Sequence, residues 1–519
     1  MDFYEARDNS FDNILPELDG KSNIEDFFDG CNVLVTGVTG FIGNLVVEKL
    51  LRCCPGINKL YFFIRLKKNL SEKERALEVI NELVFDHVRK QNPNFMDKIV
   101  VVASDCSLPN LGLGEKERKM VLDTNIVFHI AATLRFDDHY RHSFQTNVQA
   151  TKDLLEIAKD MKHLKAFTYV STAYAHVEEN VLKEEFIKSK FSFEEMKILM
   201  EKFTDEQITA LMPKLTGVGT TYSVMKSIAE NVVQEYHRQL PIGIVRPSIV
   251  ISTGAEPIDN WLKGLNGPTA MFLGVLLGIM RAICIGKEKK TDLIPADKVA
   301  SAIVAATWDL PRHKPSSSQM PVYNIVSCNK SPITWEYMSS FYEQTDLNHP
   351  NLASERHLWE PFGILTENRL LYNVLNLFLH IIPGIIMDAM LKFKGQKPLL
   401  MKLYRKAYYL MDVMSIYNSK VWEFDDDNLY AIWNKMTDKD RQKFNFSLVD
   451  FDWSVYYYNY ARGLKVYLLK ESTDMDSMNK CYKRRKTLKV VHYATCTLLI
   501  LFGVWLMKFI AATLLNCYR

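Results

Sequence analysis

Residues Val33 to Gly43 read VLVTGVTGFIG. An apolar run gives way to a turn with glycine at positions 37, 40 and 43, and from Phe41 to Leu51 the apolar periodicity is that of a helix. Glycines spaced by three between a strand and a helix meet one physical need. A pyrophosphate must approach backbone N–H groups at a helix N-terminus, and a side chain there would block it. The stretch therefore predicts a dinucleotide-binding strand–turn–helix. Gly37, Gly40 and Gly43 are expected at the phosphates, with Thr36, Thr39, Phe41 and Ile42 around them.

Working outward, short apolar runs recur as predicted strands at Lys59–Ile64, Ile99–Ala103, Asn125–Ala131, Lys165–Val170 and Ile242–Val245. Between them lie helical patterns at Ser71–Lys90, Ser143–Met161 and Thr221–Gln239. Strands alternating with helices imply a parallel sheet covered on both faces, and right-handed crossovers make it a doubly wound Rossmann-type α/β domain. Beyond Ile251 the alternation weakens into Gly-, Pro- and aromatic-rich segments expected to form a substrate region. A mainly helical unit is expected from Trp359. The predicted organisation is an acidic N-terminal segment (1–28), a nucleotide-binding catalytic domain (29–358), a helical domain (359–471), a basic linker (472–489) and a membrane anchor (490–515).

The C-terminal assignment rests on Val490–Met507, 18 residues without a charge. As a helix they extend ~27 Å at ~1.5 Å per residue, against a hydrocarbon core of ~30 Å. Lys480, Lys483, Arg484, Arg485, Lys486 and Lys489 precede it, so the bulk of the chain is expected in the cytosol, held at a lipid bilayer by a single span. Leu370–Met387 is also uncharged but contains Asn373, Asn376, His380 and Pro383. It is expected to be buried or to lie along a membrane, with a second span or a re-entrant segment as the alternative. Pro268–Met280 is apolar throughout and reads by default as core.

Composition narrows the function classes. The 519 residues carry a net charge of +3, which argues against a nucleic-acid binder. Nine scattered cysteines without a Cys-x-x-Cys pair offer neither a disulfide framework nor a metal site. At the end of the second predicted strand, FFIRLKKN presents Arg65, Lys67 and Lys68 and no acid. A carboxylate there would select a free ribose 2′-hydroxyl. Cations fit a 2′-phosphate, so NADPH is expected rather than NADH. Asp105, after the third strand, is expected to face the adenine.

Tyr222 and Lys226, in TYSVMKS, lie four residues apart and so on one helix face. A tyrosine with a pKa of ~10 is a slow proton donor and acceptor near neutrality, and an adjacent ammonium is expected to lower that value. Ser171 and Thr172 end the fifth strand in YVSTAY. Ligands of open α/β sheets bind at that end, so one hydroxyl is expected beside Tyr222 on a substrate carbonyl, Thr172 in preference to Ser171.

Glycine turn, Ser-Thr strand end and Tyr-x-x-x-Lys together resemble the extended short-chain dehydrogenases. Longer stretches resemble the fatty acyl-CoA reductases: VFHIAATLRFDD, TNVQAT with Asn147, IVRPSIV, EPIDNWLKGLNGP, HIIPGIIMD, KGQKPLLMKLYRK, WEFDDDN and DRQKFNFSLVDFDWSVYYYNYARGLKVYLLKE. The resemblance runs from about Asp29 to Glu471. It implies reduction of a long-chain acyl-CoA to a primary alcohol by two successive hydride transfers from NADPH. It extends the expected nucleotide contacts to Ala131, Ala132, Thr133, Asn147, Arg246 and Pro247, and it implies residence at the endoplasmic reticulum or peroxisome. The alternatives are another extended short-chain oxidoreductase, acting on a steroid or sugar nucleotide, and an NADP(H)-binding scaffold without turnover.

Overall fold

The structure, a computed structural model, describes residues 18–66, 70–136, 138–217, 220–265, 267–313, 319–344, 353–418 and 420–517. They form two compact units. The first takes in the described parts of Met1–Gly264, Lys290–Ile333 and Asp412–Asp452; the second, those of Leu265–Lys289, Thr334–Met411 and Trp453–Arg519. The expected border at 358/359 is therefore crossed in both directions. Residues 412–452 join the sheet unit, and 265–289 join the helices.

In the first unit, seven parallel strands form one sheet. They are β1 (Asn32–Thr36), β2 (Lys59–Ile64), β3 (Ile99–Ala103), β4 (Ile126–His129), β5 (Ala166–Val170), β6 (Ile242–Pro247) and β7 (Val322–Ile325), in the order β7-β6-β5-β4-β1-β2-β3. The order reverses between β1 and β4, the position at which doubly wound sheets open a crevice at their C-terminal edge. Every residue of β1 and β5 is buried, as a sheet covered on both faces requires. β7 was not read from the sequence. Its four residues, VYNI, are too short to show a period, and they become a strand by pairing with Ile244–Pro247.

The covering helices used below are α1 (Phe41–Cys53), α2 (Ala150–Ala158), α3 (Thr221–Tyr236) and α4 (Ala296–Asp309). The single charged helix expected over Ser71–Lys90 is two, Glu72–Ile80 and Asp86–Gln91. A π-helical turn, Phe144–Gln149, leads into α2 and carries Asn147.

Polar bonds, which leave no periodic trace in a sequence, hold 412–452 to the first unit. Asn324 on β7 donates its side-chain N–H groups to the carbonyls of Leu182 (2.9 Å) and Asp425 (2.8 Å). Glu184 accepts from the amides of Asn324 (2.8 Å), Asn428 and Leu429 (3.2 Å). Burial raises its pKa to about 8 against those bonds. Asp440, fully buried, accepts from the Ser22 hydroxyl (2.6 Å) and from the amides of Asn23 (3.3 Å), Ile24 (3.2 Å) and Thr437 (3.1 Å).

The second unit is helical. Phe272, in the buried helix Pro268–Leu276, packs edge-on to Tyr460 at 5.4 Å, and the Tyr460 hydroxyl donates to Thr269 at 3.0 Å. Pro268–Leu276 is thus core. At the C-terminus one helix runs from Met475 to Cys517. The expected linker is largely part of it, because its run of lysine and arginine has high helix propensity and contains no glycine or proline.

Replacing Asp440 by alanine is expected to cost about 3 kcal/mol, since it strips four donors of a charged, buried acceptor. Thermal unfolding followed by tryptophan fluorescence should show a midpoint several degrees lower, with Asp440→Asn intermediate.

Candidate functional site

The turn after β1 is shaped for close approach. Gly37 has φ +76°, and a Cβ there would lie 2.8 Å from the Ala131 amide nitrogen; one on Gly43 would lie 2.1 Å from the Gly37 carbonyl oxygen. Neither position accepts a side chain without moving backbone. Gly40 caps α1 with no side-chain hydrogen bond, so no side chain of the cap competes for the helix's first N–H groups. Gly37, Thr39, Phe41 and Ile42 are half-buried and Gly40 is exposed, while Gly43 is buried under the turn. The cradle fits a pyrophosphate.

A buried hydrogen-bond chain fixes the loop after β4 against this turn. Thr36 Oγ1 accepts from the amides of Ile130 and Ala131, each at 3.1 Å, and lies 2.9 Å from His129 Nδ1. His129 Nε2 lies 3.0 Å from Thr151 Oγ1, whose proton goes to the Asn147 carbonyl at 2.8 Å. One proton assignment satisfies the whole chain: His129 is neutral with its proton on Nε2, and the Thr36 hydroxyl donates to Nδ1. Burial, with Lys226 adding, depresses the His129 pKa to about 3 and keeps the ring neutral. Asn147 accepts from the Thr133 amide at 2.8 Å and donates to the Thr133 carbonyl at 3.2 Å. The Thr36 hydroxyl, expected at the nucleotide, is thus spent on shaping the loop of Ala131, Ala132 and Thr133, while Asn147 gives that loop one N–H and one acceptor site and keeps its second N–H.

Arg65 stands exposed one residue beyond β2. Lys68 lies outside the described residues. Asp105 holds a turn, accepting through Oδ1 from the Ser107 amide (2.9 Å) and hydroxyl (2.7 Å).

On α3, Tyr222, Lys226 and Glu230 recur every four residues and share one face. The Lys226 ammonium is buried and donates to the Val170 carbonyl (2.7 Å) and the Tyr169 hydroxyl (3.3 Å), which leaves one of its three N–H groups. Burial lowers its pKa to about 7, against an opposing pull from Glu230. Burial, with Tyr417 adding, raises the Tyr222 pKa. The expected lowering of Tyr222 by Lys226 is therefore reversed, because desolvation of the phenolate dominates and the ammonium is engaged at the end of β5.

Ser171 and Arg246 point elsewhere than expected. The Ser171 hydroxyl donates to Glu230 at 2.5 Å. Arg246, with no exposed surface, grips both Glu230 oxygens at 3.0 and 2.7 Å and donates to the Lys183 carbonyl at 3.1 Å. His176 Nε2 adds a third partner to Glu230 at 2.9 Å. Burial pushes the Glu230 carboxyl up, but Arg246 and His176 outweigh it and hold the group below the usual carboxylate range. Pro247 ends β6, and its carbonyl lies 3.5 Å from the Thr172 hydroxyl, which also accepts from the Tyr174 amide at 3.3 Å. Of the two strand-end hydroxyls, Thr172 is the more weakly held.

A chain of aromatic rings starts at Tyr222. Phe136 stands edge-on to it at 6.0 Å and lies 6.0 Å from Tyr417, which meets Tyr174 at 5.3 Å. The Tyr417 hydroxyl lies 2.8 Å from Thr220 and 2.9 Å from Ser223, at the first turn of α3. Sequence reading missed Tyr417, His176 and Glu230. Only Glu230 left a signal, as the next step of the Tyr222–Lys226 stripe.

Two family models described as male sterility protein match the chain, an NAD-binding one over residues 35–303 and a second over 379–471. The chain is 32% identical over 495 residues to the fatty acyl-CoA reductase wat of Drosophila melanogaster, covering 95% of this chain and 94% of that protein. It is 33% identical to the human fatty acyl-CoA reductase 1, covering 93% of each. Among solved structures it resembles in fold the reductase domain of a nonribosomal peptide synthetase from Mycobacterium tuberculosis (TM-score 0.57, 17% identity, 86% of this chain and 95% of that one). The terminal R domain of the myxalamid pathway is similarly related (TM-score 0.53, 18% identity, 89% and 95%). With its nucleotide-binding Rossmann domain followed by the helical region, the chain belongs to the fatty acyl-CoA reductase family.

Proposed function

We propose that this protein reduces long-chain acyl-CoA to the primary fatty alcohol with two equivalents of NADPH, releasing CoA. The observation that carries the reading is the face of α3 bearing Tyr222 and Lys226, set at the end of β5 in a unit whose β1 turn is a phosphate cradle. The cofactor, bound along that cradle, supplies one hydride for each half-reaction. Arg65, with Lys68, meets the 2′-phosphate, and no carboxylate competes for it in FFIRLKKN.

The chain's own residues do the remaining work. Lys226 turns its third N–H toward the nicotinamide ribose. Thr172 and Tyr222 donate to the thioester oxygen and stabilise the negative charge that grows there. The carbon–sulfur bond then breaks, the electron pair leaves with the CoA sulfur, and an aldehyde remains at the same two donors. At the second reduction Tyr222 gives its proton to the alkoxide. Its raised pKa keeps Tyr222 protonated at neutral pH, and an alkoxide is basic enough to take that proton. Glu230 is a positioning residue: it holds Ser171, and through Arg246 it ties β5 to β6. Phe136, edge-on to Tyr222, with Tyr417 beyond it, limits water at the carbonyl. Residues 490–515, within the helix Met475–Cys517, are the membrane anchor, with the sheet unit in the cytosol, which suits an amphipathic substrate and an apolar product.

Expression in yeast with lipid extraction and gas chromatography–mass spectrometry tests the reaction. Fatty alcohol is expected from the parent chain, and Tyr222→Phe should reduce it about 10²–10⁴-fold, the range for losing a general acid. Aldehyde or no acyl-derived product from a well-folded parent would sink the alcohol-forming reading.

The nucleotide choice is tested by Arg65→Asp, which should weaken NADPH binding about tenfold or more while leaving NADH binding unchanged or improved, because it removes a phosphate partner and adds a ribose acceptor. Isothermal titration with both nucleotides reads this directly.

The pH dependence has a stated sign. Lys226 in the free enzyme carries its proton below about pH 7 and loses it above. The ratio kcat/KM for NADPH should therefore fall as pH rises through 7. Lys226→Arg, which stays charged, should move that limb to higher pH even at reduced activity.

A further inference from the structure

The helix Arg369–Phe393 in the second unit is inside out for a protein surface in water. Its buried positions are Tyr372, Asn376, His380, Gly384 and Asp388, one every fourth residue and four of the five polar. Leu370, Val374, Phe378, Ile382, Ile386 and Met390 are all exposed, also at intervals of four, and Phe393 at the tip is 98% exposed. A helix on a water-facing surface shows the opposite distribution.

The inward side chains are committed along the full length. His380 Nε2 accepts from the Arg281 amide at 2.9 Å, and its Nδ1 meets Asn376 at 2.8 Å. Asp388 accepts from the amides of Leu399, Leu400 and Met401, each at 2.9 Å, and so caps the helix that begins at Leu400. Tyr372 stacks on Tyr408 at 6.1 Å, and His380 lies 5.1 Å from Tyr404. A helix bonded to its own unit at nearly every turn is not a free-standing span.

The turn and the next helix add charge of one sign. From Lys392 to Lys406 the chain reads KFKGQKPLLMKLYRK, with six cations and no acid. All six are exposed, and among the described residues none has a carboxylate partner.

We propose that the Arg369–Phe393 helix and its following turn form a second membrane-binding surface. The apolar face sits in the outer part of one leaflet, and Lys392, Lys394, Lys397, Lys402, Arg405 and Lys406 lie at the level of anionic headgroups. A bilayer is the occupant that matches both halves of the pattern: apolar area for acyl chains and unpaired cations for phosphates. A second copy of the chain would bring the same six cations against each other. The surface also continues from the C-terminal helix. Trp359 donates to His492 at 2.9 Å and Glu360 lies 3.7 Å from Arg485, and the chain from there passes through the strand Ile364–Leu365 directly into Arg369. The same short stretch thus roots both apolar elements.

The test uses the full-length chain in phosphatidylcholine vesicles with about 30% phosphatidylserine, with p-benzoylphenylalanine placed singly at Phe378, Ile386, Phe393, Trp505 and, as a water-facing control, Met96. These are exposed positions, and NADPH binding checks each variant's fold. After irradiation, lipid adducts are read by mass spectrometry. Adducts at 378, 386 and 393 should exceed those at 96 by about tenfold or more, the scale set by burial of a few apolar side chains in the interface. Changing Lys392, Lys394 and Lys397 to Gln together, or omitting the phosphatidylserine, should lower the yield at 393 by about fivefold or more. Background labelling at 378, 386 and 393 alike overturns the proposal, whether or not Trp505 labels. Cross-links to a second copy of the chain in place of lipid overturn it in favour of a protein interface. Full labelling that ignores both charge changes overturns the headgroup assignment.

Discussion

Taking a carboxylate and a guanidinium out of water together costs several kcal/mol per ion, and only close geometry with every remaining bond satisfied recovers it. Glu230 and Arg246 have no exposed surface, and between them they meet that condition. Glu230 accepts from Arg246 along two bonds, from Ser171 and from His176, while Arg246 also reaches the Lys183 carbonyl. These bonds join the end of β5, the strand β6 and the middle of α3. Once Glu230 is held, Lys226 and Tyr222, one and two helical turns before it, are held as well. Removing one partner would strand the other charge, a loss on the order of 3–5 kcal/mol. The site is therefore as rigid as the ion pair behind it.

The cofactor side rests on a different device. No charge lies in the turn itself; its shape comes from the absence of side chains at Gly37 and Gly43 and from one hydroxyl, Thr36, that pins the β4 loop. Neutral His129 closes the chain of donors and acceptors to Asn147, which in turn shapes Thr133. Preformed loops spend less binding energy on ordering when a nucleotide arrives. Tyr222, the third N–H of Lys226 and the weakly held Thr172 hydroxyl stay available beside this frame.

On the proposed reading, the second unit meets lipid rather than a reacting carbonyl. Its exposed apolar surface would be a liability in water. In contact with a bilayer it becomes an attachment, and the polar residues beneath it, His380 and Asp388, serve as internal fastenings. If the substrates are the proposed long-chain acyl-CoAs, such an attachment would place the protein at the surface where acyl tails partition.

Much of this was written locally and could be read from the chain. The VLVTGVTGFIG turn, six of the seven strands, the Tyr222–Lys226 spacing and the apolar C-terminal helix follow from the period of apolar residues or from glycine spacing, and both act over a few residues. What escaped depended on partners distant in sequence. β7 exists because Val322–Ile325 meets β6. Residues 412–452 return to the sheet unit through single polar bonds made by Asn324, Glu184 and Asp440, which have no period to detect. Ser171 and Arg246 stood at plausible positions, yet Glu230 claimed both. Periodicity reports which face of an element is apolar. Which polar atom a buried side chain finally meets is decided only when separate elements pack, because burial without a partner costs too much to leave to chance.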